Sequence, residues 1–250
     1  ELDGQAQWDM LRKIVVKRNP RRIGINLSET HVFADGLSAT ERDLLETALG
    51  PEYMQRVVRA EHLAVEYLEV RLPEMMPLYT RIMQTAHELM RRALSREVIT
   101  PGKTTTEDVA WWLRDRAADL HASVWFQPAV RVQRRQKAGV SFVAEDAAVV
   151  IQPGDLLHLD FGMRVLRLHT DTQQMAYVPR QGESQAPMEL RRALAQALRL
   201  QEIVRERLRP GRTGNQILAD ARAAMRAEGI DGAVYSHPVG DHGHAAGPII

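Results

Sequence analysis

The sequence predicts an α+β protein whose main domain is built from two pseudo-symmetric halves. Three observations carry that prediction: helix-period apolar stripes, a four-residue turn that recurs 109 positions later, and two strand-like runs placed after the first helix pair. With 250 residues, 44% hydrophobic and 26% charged, the chain suits one large domain or a domain with an appendage.

Residues 1–77 differ in character from the rest. Arg22-Ile-Gly-Ile-Asn-Leu27 reads as a short strand. Ser38-Ala-Thr-Glu41 is a capping box: the Ser hydroxyl takes the Glu41 amide while the Glu41 carboxylate reaches back, so a helix of about three turns follows. Gly50-Pro51 ends it, because Gly tolerates a left-handed cap and Pro cannot continue the ladder. Residues 63–70 fit a strand or a helix equally. The breakers in Leu72-Pro-Glu-Met-Met-Pro77 mark a domain boundary, giving 1–77 and 78–250.

From residue 78 the chain is internally duplicated. An amphipathic helix over 78–94 sets Ile82, Ala86, Leu89, Met90 and Ala93 on one stripe, then come Pro101-Gly-Lys-Thr104 and a second helix over about 107–120. The second unit has a helix over about 187–208 carrying Leu190, Leu194, Ala197, Leu198 and Leu208, then Pro210-Gly-Arg-Thr213 and a helix ending near Glu228-Gly229. Two copies are too few for a solenoid, so one domain of two halves is expected, with its site between them.

After the first helix pair, Leu156-Leu-His-Leu-Asp-Phe161 and the run over 164–178 read as a β-hairpin. A turn centred on Val165 and Leu166 would set Asp160 directly opposite Asp171, with Cα atoms about 4.5–5.5 Å apart and both side chains on one face. Their repulsion would be about 4 kcal/mol at an effective dielectric near 20, so a proton, a basic side chain or a divalent cation must compensate. Pairing with Arg164 or Arg167 at a strand end is the plainer alternative. A second cluster favours the cation: Tyr235-Ser-His237-Pro-Val-Gly240-Asp-His242-Gly-His244 gathers three imidazoles in a Gly-rich segment. Asp, Asp and His suit Mn, Fe, Co or Zn. The chain has no cysteine, which excludes thiolate ligands, a Cys nucleophile and a disulfide scaffold.

Gly154-Asp-Leu-Leu-His-Leu-Asp160-Phe-Gly162, the second Asp in His169-Thr-Asp171, and the segment His237 to His244 resemble the pita-bread metallopeptidases of family M24. That family includes methionine aminopeptidases, Xaa-Pro aminopeptidases, prolidases and the metal-free creatinase. The resemblance covers residues 78–250 and implies a pita-bread fold. It implies that Asp160 ligates one metal, Asp171 bridges two, His237 ligates the second, and His244 contacts the scissile carbonyl. Residues 1–77 then resemble the end of the smaller N-terminal α/β domain, with its linker, of the Xaa-Pro aminopeptidase and prolidase branch.

The function so implied is a metal-dependent exopeptidase cleaving before proline, with two divalent ions, manganese first and cobalt, zinc or iron as alternatives, activating a water. The family's two further Glu ligands, the general base among them, are expected beyond Ile250, so the chain reads as truncated, its second half incomplete and the 250-residue piece inactive alone. The rival reading is a catalytically inactive binding module on the same fold; a metal-free, creatinase-like hydrolase is disfavoured by the facing carboxylates.

The expected partner is a peptide, with a homodimer left open. With 33 Lys and Arg against 32 Asp and Glu there is no global field to draw in nucleic acid. The clusters at Arg12 to Arg22 and at Arg131, Arg134, Arg135 and Lys137 read as solvated faces. No apolar run is long enough to span a bilayer, so no membrane partner is expected, and the cytoplasm is favoured over export.

Overall fold

The computed structural model describes residues 4–29, 34–70, 72–136, 139–142 and 148–234. They fall into two compact units that divide between Met75 and Met76.

In the first unit, helix α1 (Gly4–Arg18), strand β1 (Ile23–Ile25), helix α2 (Ala39–Met54), strand β2 (Val57–Arg59) and helix α3 (Glu61–Glu69) follow one another, and β1 and β2 pair in parallel with Ile23 beside Val57. A parallel pair needs a crossover, and α2 supplies it. Ser38 caps α2 through the reciprocal bonds its sequence encodes. Gly50, at φ +68°, breaks the helix, and Pro51 opens a further turn rather than ending the element. The break frees two carbonyls, and the Arg12 guanidinium donates to Ala48 O and Leu49 O at 2.8 Å each. Arg12 therefore holds the kink instead of merely solvating a face. Trp8, Leu11 and Val15 of α1 pack on the Ile25, Leu45, Leu49 and Tyr53 core at helical spacing. Residues 63–70, undecided from sequence, are mostly helical.

The second unit begins with helix α4 (Met75–Ala93) and helix α5 (Thr106–Asp119), followed by strands β3 (Ser123–Val124), β4 (Ala129–Gln136), β5 (Gly139–Phe142), β6 (Leu156–Phe161), β7 (Met163–Val165), β8 (Leu168–His169) and β9 (Thr172–Tyr177), and ends in helices α6 (Met188–Arg207) and α7 (Gly214–Ala227). Four strands form an antiparallel sheet in the order β5-β4-β6-β9, and β3, β7 and β8 form a small second sheet. Leu157, Leu159 and Phe161 of β6 are fully buried, as are Ala86 and Met90 of α4 and Val109 and Leu113 of α5. Each large apolar side chain so removed from water contributes about 1.5–3 kcal/mol. All five residues of the α4 stripe are buried.

The duplication is visible in the backbone. Gly102 and Gly211 hold φ values of +82° and +83° in the two equivalent turns. Helices α5 and α7 are each 14 residues long, and each starts from a Thr-based capping box, Thr105 with Asp108 and Thr213 with Gln216. The first cap is Thr105 rather than the Thr104 of the repeated motif; Thr104 Oγ1 instead accepts from Thr100 N and donates to Val98 O. One extra residue in the first turn thus shifts the helix register between halves.

The second helix pair departs from expectation in its core. Leu200 and Ile203 of α6 are buried against Ala221 and Met225 of α7, while Leu194, Leu198 and Leu208 stay about half exposed. Among the described residues α6 packs mainly on its neighbouring helix, so the buried side is turned away from the stripe read from sequence.

Candidate metal centre

The site is built on β6 and on the hairpin strands that succeed it in the chain. Alternation places Leu157, Leu159 and Phe161 in the core and leaves Leu156, His158 and Asp160 on the opposite face. The β7–β8 connection is a two-residue turn with Leu166 at φ +49° and Arg167 at φ +66°, the conformation whose twist suits a tight hairpin.

This turn lies one residue beyond the expected centre, and the register shifts accordingly. Asp160 pairs with Gln173, and Phe161 with Thr172. The expected direct opposition of Asp160 and Asp171 is therefore corrected to a diagonal relation, Asp171 lying two residues before Gln173 and just ahead of β9. A diagonal pair has Cα atoms about 7–8 Å apart. Repulsion is weaker than in a facing pair.

The hydrogen bonding around the two aspartates is unequal. Asp160 Oδ2 accepts from Gln173 Nε2 at 3.3 Å, and the Gln173 carbonyl oxygen lies 2.8 Å from His158 Nε2. Asp160 Oδ1 is buried with no hydrogen-bond partner, and Asp171 Oδ1 is buried as well. A buried carboxylate oxygen in the state of Asp160 Oδ1 costs stability unless a ligand completes it.

The backbone before Asp171 is held tightly. Thr170, fully buried, donates its N–H to Met163 O at 2.8 Å and accepts Met163 N on Oγ1 at 3.0 Å. Trp125 Nε1 donates to Thr170 O at 2.9 Å, and its ring stands edge-on to Phe126 and to the buried His169. Gly162 lies beneath this cluster: a Cβ there would come within 2.6 Å of Thr170 O and closer still to Trp125 Nε1 and Phe126 Cε1. Trp125 and Phe126 thus pack the wall of the site. Trp111, by contrast, is half exposed on α5.

The basic stretch on β4 is not uniformly solvated. Arg134 reaches the buried Asp155 through two hydrogen bonds of 2.7 Å, and Asp155 also accepts from Gln152 N. Bonding to Asp155 raises the Arg134 pKa further above its ordinary value. This pair fixes the entry to β6, five residues before Asp160.

His237 and His244 lie outside the described residues. Among the described residues no group of three or more His, Asp or Glu is gathered as a metal cluster. Asp160 and Asp171 lie in diagonal register, and their oxygen donors suit a hard or borderline divalent cation, with the bare Asp160 Oδ1 available to it. His158, Gln173 and Thr170 were not singled out from sequence. Alternation alone puts His158 with Asp160 and Gln173 with Asp171, but only the register joins the two pairs.

The scaffold is an antiparallel hairpin that carries two aspartates, backed by two helices and followed by a repeat of those helices. The profile of metallopeptidase family M24 matches residues 79–248, and the chain belongs to that family. Among solved structures, it is similar to an X-Pro aminopeptidase from Thermotoga maritima MSB8 at TM-score 0.70 and 18% identity, over 100% of this chain and 66% of that one. It is also similar to an Xaa-Pro dipeptidase from Bacillus anthracis, at TM-score 0.68 and 19% identity over 96% and 63% of the two chains. For a prolidase from Pyrococcus furiosus the values are 0.64 and 18%, over 97% and 68%. The chain therefore spans about two thirds of the length of these structures, and the fold it shares with them is the pita-bread fold. A comparison with curated proteins by sequence finds no match. Among the described residues no helix is long and apolar enough to cross a membrane.

Proposed function

We propose that the chain belongs to a metal-dependent exopeptidase that removes an N-terminal residue preceding proline, or splits an Xaa-Pro dipeptide. The carrying observation is the pair Asp160 and Asp171 in diagonal register on the hairpin, with Asp160 Oδ1 buried and unbonded, in a chain of a metallopeptidase family. The proline preference rests on the names of the similar structures, the X-Pro aminopeptidase, the Xaa-Pro dipeptidase and the prolidase.

In this reading Asp160, Asp171 and His237 hold two divalent cations, manganese first, and His244 meets the substrate carbonyl. Such cations supply Lewis-acid polarisation of the scissile carbonyl and a lowered pKa for the attacking water. The chain's own contribution is to hold two carboxylates at a fixed separation through the Thr170 and Trp125 contacts and the Gln173 amide. Residues 78–250 would form the peptidase domain and residues 1–77 the end of a smaller preceding one.

The test is hydrolysis of Xaa-Pro peptides by the intact protein with Mn²⁺ or Co²⁺, beside matched peptides without proline. Activity confined to the proline series and abolished by Asp171→Ala supports the reading. Activity that survives Asp171→Ala, or none on any Xaa-Pro peptide with either ion, overturns it and leaves a binding module on the same fold.

A further inference from the structure

We infer that Gln173 and His158 are positioning residues that hold Asp160 in the one orientation able to accept a cation, an inference that rests on the metal reading above. The three side chains form a directed chain across the β6–β9 ladder: His158 Nε2 to Gln173 Oε1 at 2.8 Å, and Gln173 Nε2 to Asp160 Oδ2 at 3.3 Å. Each bond dictates the next. An ionised carboxylate only accepts, so Gln173 must present its NH₂ to Asp160 and its carbonyl to His158. The imidazole must then carry a proton on Nε2.

The consequence falls on the two oxygens of Asp160. Oδ2 is tied to the amide, and Oδ1 is left buried and unbonded. Any partial rotation of the carboxylate breaks the hydrogen bond from the Gln173 amide. Both supporting residues lie on the same face as Asp160 because β6 and β9 alternate, and Gln173 is its direct cross-strand partner. Partners of this kind fix the orientation of a ligating side chain, and their loss weakens metal binding about 10–100-fold.

Two measurements on the intact protein test this. Mn²⁺ titration by calorimetry should show Kd raised about 10–100-fold in Gln173→Ala. His158→Phe should weaken binding, and His158→Gln, which keeps an N–H donor, should restore it. The His158→Phe/Gln173→Ala double variant should bind no worse than Gln173→Ala, since the two act in series, and the metal-free melting temperatures should stay close to the unsubstituted protein's. Imidazole ¹⁵N spectra of the metal-free protein should show His158 as the Nε2–H tautomer, lost in Gln173→Ala. Undiminished Mn²⁺ affinity in both single variants, or losses that multiply in the double variant, overturns the inference, provided Asp160→Asn abolishes binding. If Asp160→Asn binds Mn²⁺ unchanged, the metal reading itself fails and the inference falls with it.

Discussion

Gln173 stands directly opposite Asp160 across the β6–β9 ladder and donates its amide to Asp160 Oδ2, leaving Oδ1 of the same carboxylate buried without a hydrogen bond. A half-satisfied carboxylate in a rigid sheet is a stability cost that a ligand recovers. Sites of that kind exchange stability for function.

Asp160→Asn should therefore leave the melting temperature of the metal-free protein unchanged or raise it by a few degrees, because the amide removes a charge from beside Asp171. The same substitution should abolish the rise in melting temperature that Mn²⁺ gives the unsubstituted protein, which follows RT ln(1 + [L]/Kd). Differential scanning calorimetry with and without Mn²⁺ reads both. A lower metal-free melting temperature would contradict the assignment of Oδ1 as a strained atom.

Gly162→Ala should destabilise by about 1–3 kcal/mol, the usual cost of overpacking. The added Cβ would meet Thr170 O and the rings of Trp125 and Phe126 well inside van der Waals contact. Thr170 precedes Asp171, so the displacement should also weaken Mn²⁺ binding. Urea denaturation and a metal titration on the same variant measure the two effects. Trp125→Phe, which removes the bond to Thr170 O and part of the ring packing on Phe126 and His169, should cost about 1–3 kcal/mol.

Arg134→Met should cost about 3 kcal/mol or more, since it leaves the Asp155 carboxylate buried without its guanidinium. The double variant Arg134→Met/Asp155→Asn should recover part of that loss. Chemical denaturation of the two variants gives the coupling, and equal stability of single and double variants would show that the pair does not hold the β6 entry.

The Thr-based capping boxes of α5 and α7 should respond differently to acid. Hydrogen bonds from the Thr105 backbone N–H, then from its hydroxyl, hold the Asp108 pKa below the ordinary Asp value. The folded state then binds fewer protons than the unfolded one in this window. The contribution is present above the unfolded Asp pKa of about 4 and fades as pH falls through the lower folded value. Gln216, at the same place in α7, does not titrate. Asp108→Gln should reduce the fall in stability between about pH 5 and 2, as measured by denaturation across that range, whereas Gln216→Glu should add a further acid-sensitive contribution.

Helix positions were legible in the sequence because their signals are local. The Ser38 capping box, the α4 stripe and the paired Pro-Gly-Lys/Arg-Thr turns each act over a few residues, and each appears in the structure where the residues placed it. The α+β class and the duplicated arrangement followed from them. β4 escaped notice because its arginines read as a solvated cluster, whereas Val132 is buried and Arg134 has a buried partner 21 residues away.

Residue order alone establishes the chemistry on offer: two aspartates eleven residues apart on a strand-like segment, a histidine-rich segment downstream, and no thiol. How the aspartates meet is a matter of tertiary packing. A turn placed at Leu166 and Arg167 instead of one residue earlier puts Gln173, not Asp171, opposite Asp160. Register depends on turn geometry and on which face finds the core, and both are settled only when Leu157, Leu159 and Phe161 pack against α4 and α5.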